Sequence, residues 1–72
     1  MKNSIKKEIV SAVESSLPEA LEGFGIRTSK QLVKNSNKLV NFLIECFDGE
    51  WENQDQKEVR TIVMSVVDNW KF

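Results

Sequence analysis

The sequence predicts an all-α domain, a small bundle of three main helices at about residues 4–16, 29–47 and 56–70 with one short helix at about 18–22. Three observations carry that prediction. Apolar residues recur at three- and four-residue steps through each long segment, the period of a helix that buries one side. Two capping-box patterns, Thr28-x-x-Gln31 and Asp55-x-x-Glu58, stand just ahead of two of the segments. Pro18, the pair Gly23 and Gly25, and Gly49 break the chain between them.

The first helix rests on Ile5, Ile9, Ala12 and Val13, with Val10 and Leu17 beside them. Asn3 or Ser4 is the expected cap. Lys6 falls near the stripe and is expected to lay its methylene stem along it. Pro18 has no amide hydrogen to continue the helix and suits a first turn instead. "PEALEG" therefore reads as a separate short helix, with Glu19 at its positive end and Gly23 at its exit.

The third segment is the longest. Leu32, Val33, Ser36, Leu39, Val40, Leu43, Ile44 and Phe47 form its stripe, and Asp48-Gly49 ends it. Ser36 interrupts the stripe, and its hydroxyl is expected to bond the Leu32 carbonyl. Lys30, Lys34, Asn37, Lys38, Asn41 and Glu45 make the polar side, while Phe42 and Cys46 widen the apolar arc in the second half. The last helix carries Val59, Ile62, Val63, Val66, Val67 and Trp70. Its β-branched valines cost helix propensity, so packing must offset them.

Seventy-two residues make a single domain, residues 1–72. A chain this short buries only about 60% of its unfolded surface, and below about 80 residues a disulfide, a metal or a second subunit is often added. Cys46 is the one cysteine and there is no histidine, so neither an internal disulfide nor a Cys/His zinc site is available. The 40% hydrophobic and 29% charged residues are too apolar a mixture for disorder.

The net charge of −1 argues against a general nucleic-acid binder, but it is unevenly spread. Residues 1–40 sum to +3 and residues 41–72 to −4, a dipolar arrangement that steers a partner. No apolar run approaches the roughly 20 residues of a membrane span. The N-terminus lacks the unbroken apolar core of a signal peptide. With a lone thiol, these features point to the cytoplasm.

Four features are candidates for function. Residues 21–34, "LEGFGIRTSKQLVK", place a Gly-Phe-Gly turn before a helix N-terminus. The stretch resembles the helix-hairpin-helix family: Gly23, Phe24 and Gly25 match the hairpin, Leu21 and Leu32 the apolar packing positions, and Ser29 the small residue that follows. The resemblance covers about eighteen residues and implies that hairpin amides and the following helix N-terminus approach a phosphate of a DNA backbone. Glu22, beside the hairpin, and the length of the following helix depart from the family pattern. The competing reading is a plain connection, in which Gly23 ends one helix, Phe24 and Ile26 plug the bundle end, and Thr28 caps the next; it is the reading adopted.

The second candidate is the cationic edge of Arg27, Lys30, Lys34 and Lys38, which either tracks phosphates or is a solvated helix face. The third is the acidic loop with Asp48, Glu50, Glu52 and Asp55 around Trp51. Gly49 is misplaced for a calcium loop, so no metal is expected. Trp51 either folds onto the bundle or stands out as an interface anchor toward a basic partner. The fourth is the set of apolar groups hardest for three helices to cover: Trp51, Phe42, Met64 and Phe72.

Cys46 is expected to be an inert, mostly buried thiol, and the serines lack a histidine base. No catalytic residue, cofactor or metal is therefore expected. The function expected is that of a small non-enzymatic, cytoplasmic protein-interaction module — a regulator, inhibitor or adaptor — that binds a protein partner or a second copy of itself. Its candidate partner-binding residues are Trp51, Glu50, Glu52, Arg27, Lys30, Lys34 and Lys38. The alternative is nucleic-acid binding through the turn at residues 23–28 and the lysine row.

Overall fold

The computed structural model describes residues 2–47 and 49–72. They form three α-helices, α1 (Asn3–Phe24), α2 (Ser29–Cys46) and α3 (Gln56–Asp68), and no strand. Each helix packs on both of the others. The body measures 33 × 19 × 19 Å.

The first difference from expectation is at Pro18, which lies inside α1; there is no separate short helix at residues 18–22. The reason is visible in the burial. Ile9, Val13, Leu17 and Leu21 are all buried, so one stripe at four-residue steps passes the proline without losing phase. A proline in a helix interior costs about 3 kcal/mol, and each fully buried aliphatic side chain returns about 1.5–3 kcal/mol. Breaking the helix would turn Leu17 and Leu21 out of line. Pro18 and Glu14 are both exposed, so water can reach the carbonyl that the proline leaves without its helical partner.

The exit of α1 also moves. Gly23 is helical, and Gly25 is the residue that takes the left-handed conformation, at φ 69° and ψ 26°. Gly25 N–H donates to the Glu22 carbonyl at 3.1 Å and Ile26 N–H to the Leu21 carbonyl at 2.9 Å. This is the Schellman pattern, and the contact that accompanies it is supplied by Leu21 and Ile26, both buried. At the other end, Lys2 holds the cap position without a side-chain bond, in place of the expected Asn3 or Ser4.

α2 begins as its capping box requires. Thr28 Oγ1 accepts from Gln31 N–H at 3.2 Å. The return bond is displaced by one residue, because Gln31 Oε1 accepts from Arg27 N–H at 2.7 Å. Leu32, Leu39, Val40 and Leu43 face the core, whereas Val33, expected in the stripe, is 75% exposed. Val33 lies at the edge of the arc near the helix start, beyond the reach of both neighbours. The Ser36 hydroxyl donates to the Val33 carbonyl at 3.1 Å, one residue short of the expected Leu32. Asp48, expected at the exit of α2, lies outside the described residues.

α3 starts at Asp55, whose Oδ1 accepts from Lys57 N–H at 2.9 Å and Glu58 N–H at 3.3 Å. Val59, Val63 and Val67 are buried at four-residue steps. The helix ends at Asp68, two residues before the expected 70, and the Asn69 side chain donates to the Ser65 carbonyl. Lys6 pairs with Glu58 at 3.6 Å, tying the start of α1 to α3 at the surface. Arg60 of α3 donates to Asn41 of α2 at 2.6 Å.

Candidate interaction surface

Six residues of the sequence carry large aromatic rings, and four of those rings form two contacts of opposite character. In the loop after α2, Trp51 folds back onto the bundle and is 8% exposed. Its ring stacks on Phe47 with centroids 4.7 Å apart and planes inclined by 29°. The Gln56 side chain donates to the Trp51 carbonyl at 2.7 Å and to the Gln54 carbonyl at 3.0 Å, which holds the loop down. Trp51 is thus a core residue and not a projecting anchor. Its neighbours Glu50 and Glu52 remain exposed. Asp55 is taken by its capping role.

The second contact joins α1 to α2. Phe24 and Phe42 meet edge to face, centroids 5.3 Å apart and planes at 84°. Both stay well exposed, at 43% and 41%. Phe24 therefore does not plug the bundle end; Ile26, 4% exposed, does that alone. The pair borders an open groove of about 650 Å³. Ala20 and Leu43 form its apolar floor, Ser16 and Gly23 widen it, and Glu19 and Glu22 supply its charged rim. Cys46 lines the same groove and is exposed, contrary to the buried thiol expected. It sits on the flank of α2 that α1 only partly covers.

Arg27, Lys30, Lys34 and Lys38 are all exposed, on the α2 side of the molecule. Asn41, on the same polar side of α2, is engaged by Arg60, which brings a further cation to that edge. Sequence spacing within α2 could not reveal Arg60, because it comes from another helix.

The amides of Gly25, Ile26 and Arg27 donate within the chain, as does that of Gln31. An anion at those four amides would have to displace those bonds. Among the described residues no three His, Cys, Asp or Glu side chains gather to hold a metal ion. No helix among them is long and apolar enough to cross a membrane.

The groove was partly legible beforehand. Phe42 stood off the buried stripe of α2, which marked it as hard to cover. Its pairing with Phe24 was not legible, since that needs the angle at which α1 meets α2. No protein-family model, curated protein or solved structure matches this chain.

Proposed function

We propose that this chain is a non-enzymatic protein-interaction module, a small cytoplasmic regulator, inhibitor or adaptor that acts by binding another macromolecule through the α1–α2 groove. The observation that carries the reading is the Phe24–Phe42 pair. Two phenylalanines over 40% exposed on facing helices, above an apolar floor, place greasy surface in water at one site. An aromatic centre with a charged rim is the composition of a protein interface. The hydroxyl and thiol in the groove, Ser16 and Cys46, have no histidine in the chain to act as their base.

Affinity capture with the wild-type chain and with Phe42→Glu as paired baits tests this. Phe42 lies outside the buried core, so the variant keeps its helical circular dichroism. A protein retained by the wild type and lost by the variant supports the reading. Identical captured sets overturn it.

A second reading draws on the exposed row Arg27, Lys30, Lys34 and Lys38, which fits a nucleic-acid backbone by charge alone. It requires binding to duplex or single-stranded DNA at low salt that weakens with added salt and vanishes when Lys30, Lys34 and Lys38 become glutamate. No binding at low salt removes it.

A further inference from the structure

We infer that the Phe24–Phe42 groove is covered by a second copy of this chain, packed about a two-fold axis. This rests on the groove being a binding surface and names its occupant.

Charge placement carries the inference. From Ala12 to Phe24, α1 holds Glu14, Glu19 and Glu22 and no cation. From Ser29 to Phe42, α2 holds Lys30, Lys34 and Lys38 and no carboxylate. The two stretches meet at the aromatic pair. Glu19 and Glu22 rim the groove on the α1 side. On the other side Lys38 stands one turn before Phe42, with Glu45 one turn after it toward the helix end. Among the described residues, neither these two carboxylates nor Lys34 and Lys38 form an ion pair within the chain; the recorded pair is Lys6–Glu58.

A patch that is apolar in the centre, acidic on one flank and basic on the other is complementary to itself. A two-fold axis through the aromatic pair lays the α1 flank of each copy on the α2 flank of its partner, so carboxylate meets lysine twice. The same operation covers both phenylalanines of both copies. The area is sufficient. The chain exposes 5126 Å², and a standard interface takes about 800 Å² from each side. That is about a sixth of the chain's accessible surface.

Sedimentation equilibrium on the intact chain, from micromolar to millimolar concentration at low salt, tests it with two charge variants. These are Glu19→Lys/Glu22→Lys and Lys34→Glu/Lys38→Glu, all at exposed positions. The wild type is expected to approach twice its 8.3 kDa mass as concentration rises. Each variant alone is expected to dissociate at least about tenfold more readily, because like charges now face each other. An equimolar mixture of the two is expected to recover the dimer mass, since each flank again meets its opposite. Recovery on mixing requires that opposite charges on the two flanks join the copies and does not follow from a change in folding, and closure at the dimer mass is what marks the two-fold.

A wild type that stays monomeric throughout overturns the inference, as does an open-ended ladder of masses or a mixture that fails to recover. A monomeric wild type that still captures a protein in a Phe42-dependent way refutes the second copy alone. A monomer that captures nothing refutes the binding reading as well.

Discussion

Two aromatic contacts of similar separation sit at two places in this bundle, and they do opposite things. Phe47 and Trp51 stack at 4.7 Å and are turned inward, with Trp51 8% exposed. Phe24 and Phe42 meet edge to face at 5.3 Å and remain over 40% exposed. Ring contact alone therefore does not identify a core. What differs is what lies around each pair. The first is roofed by a loop that Gln56 and turn bonds hold against α3. The second lies at the surface beside the open groove between α1 and α2. The first pair is packed into the fold, and the second faces solvent.

Substitutions can break this contrast, and the largest expected effect is on the inward pair. Trp51→Ala is expected to lower the unfolding free energy by about 3–5 kcal/mol, the usual range for emptying a buried aromatic site. For so small a domain that is much of its total, so urea denaturation would show a population already partly unfolded. Phe42→Ala should cost well under that, because much of its ring already faces water. Comparable losses from the two substitutions would erase the distinction between the pairs.

The glycines next to the outward pair sharpen the comparison with opposite signs. Gly25→Ala is expected to destabilise by about 1–2 kcal/mol, since a left-handed conformation crowds a β-carbon against the backbone. Gly23→Ala is expected to stabilise by about 0.5–1 kcal/mol, as an alanine in a helix interior loses less entropy. A β-carbon built at Gly23 meets nothing within 4 Å. Thermal melts of the two variants should move in opposite directions. A loss at Gly23 would contradict the placement of that residue inside α1.

Smaller effects are expected at the helix starts. Thr28→Ala and Asp55→Ala should each cost about 1 kcal/mol, the typical worth of an N-cap bond. Breaking the Lys6–Glu58 pair should cost less, between about 0 and 1 kcal/mol, because both partners are substantially solvated and the pair is screened by salt. Chemical denaturation at low and moderate salt would separate the ion pair from the neutral Thr28 cap, since the ion pair and, in part, the charged Asp55 cap are screened by salt while the Thr28 bond is not.

The parts of the fold that were legible in the sequence are those set by short-range spacing. The stripes of α2 and α3 and the caps at Thr28 and Asp55 follow from residues three or four apart. Pro18 departs from the local rule because the phase of the stripe on either side of it decides the outcome. Ile9, Val13, Leu17 and Leu21 kept their step of four, and that continuity outweighed one missing hydrogen bond. Val33 and Cys46 are exposed for a different reason. Each stands at the margin of an apolar arc, where burial depends on how far a neighbouring helix reaches, and spacing does not encode that reach. The candidate surface divides in the same way. The lysine row is a one-helix pattern and was visible, whereas the Phe24–Phe42 groove and the Arg60–Asn41 bond join residues from two helices.

That the outward pair is covered by a second copy while the inward pair belongs to the core is most directly tested by following the side-chain NMR signals of all four rings in one sample as it is diluted. The signals of Phe24 and Phe42 are expected to shift with concentration while those of Phe47 and Trp51 hold still. Stationary signals from all four rings, or equal movement of the inward pair, would contradict it.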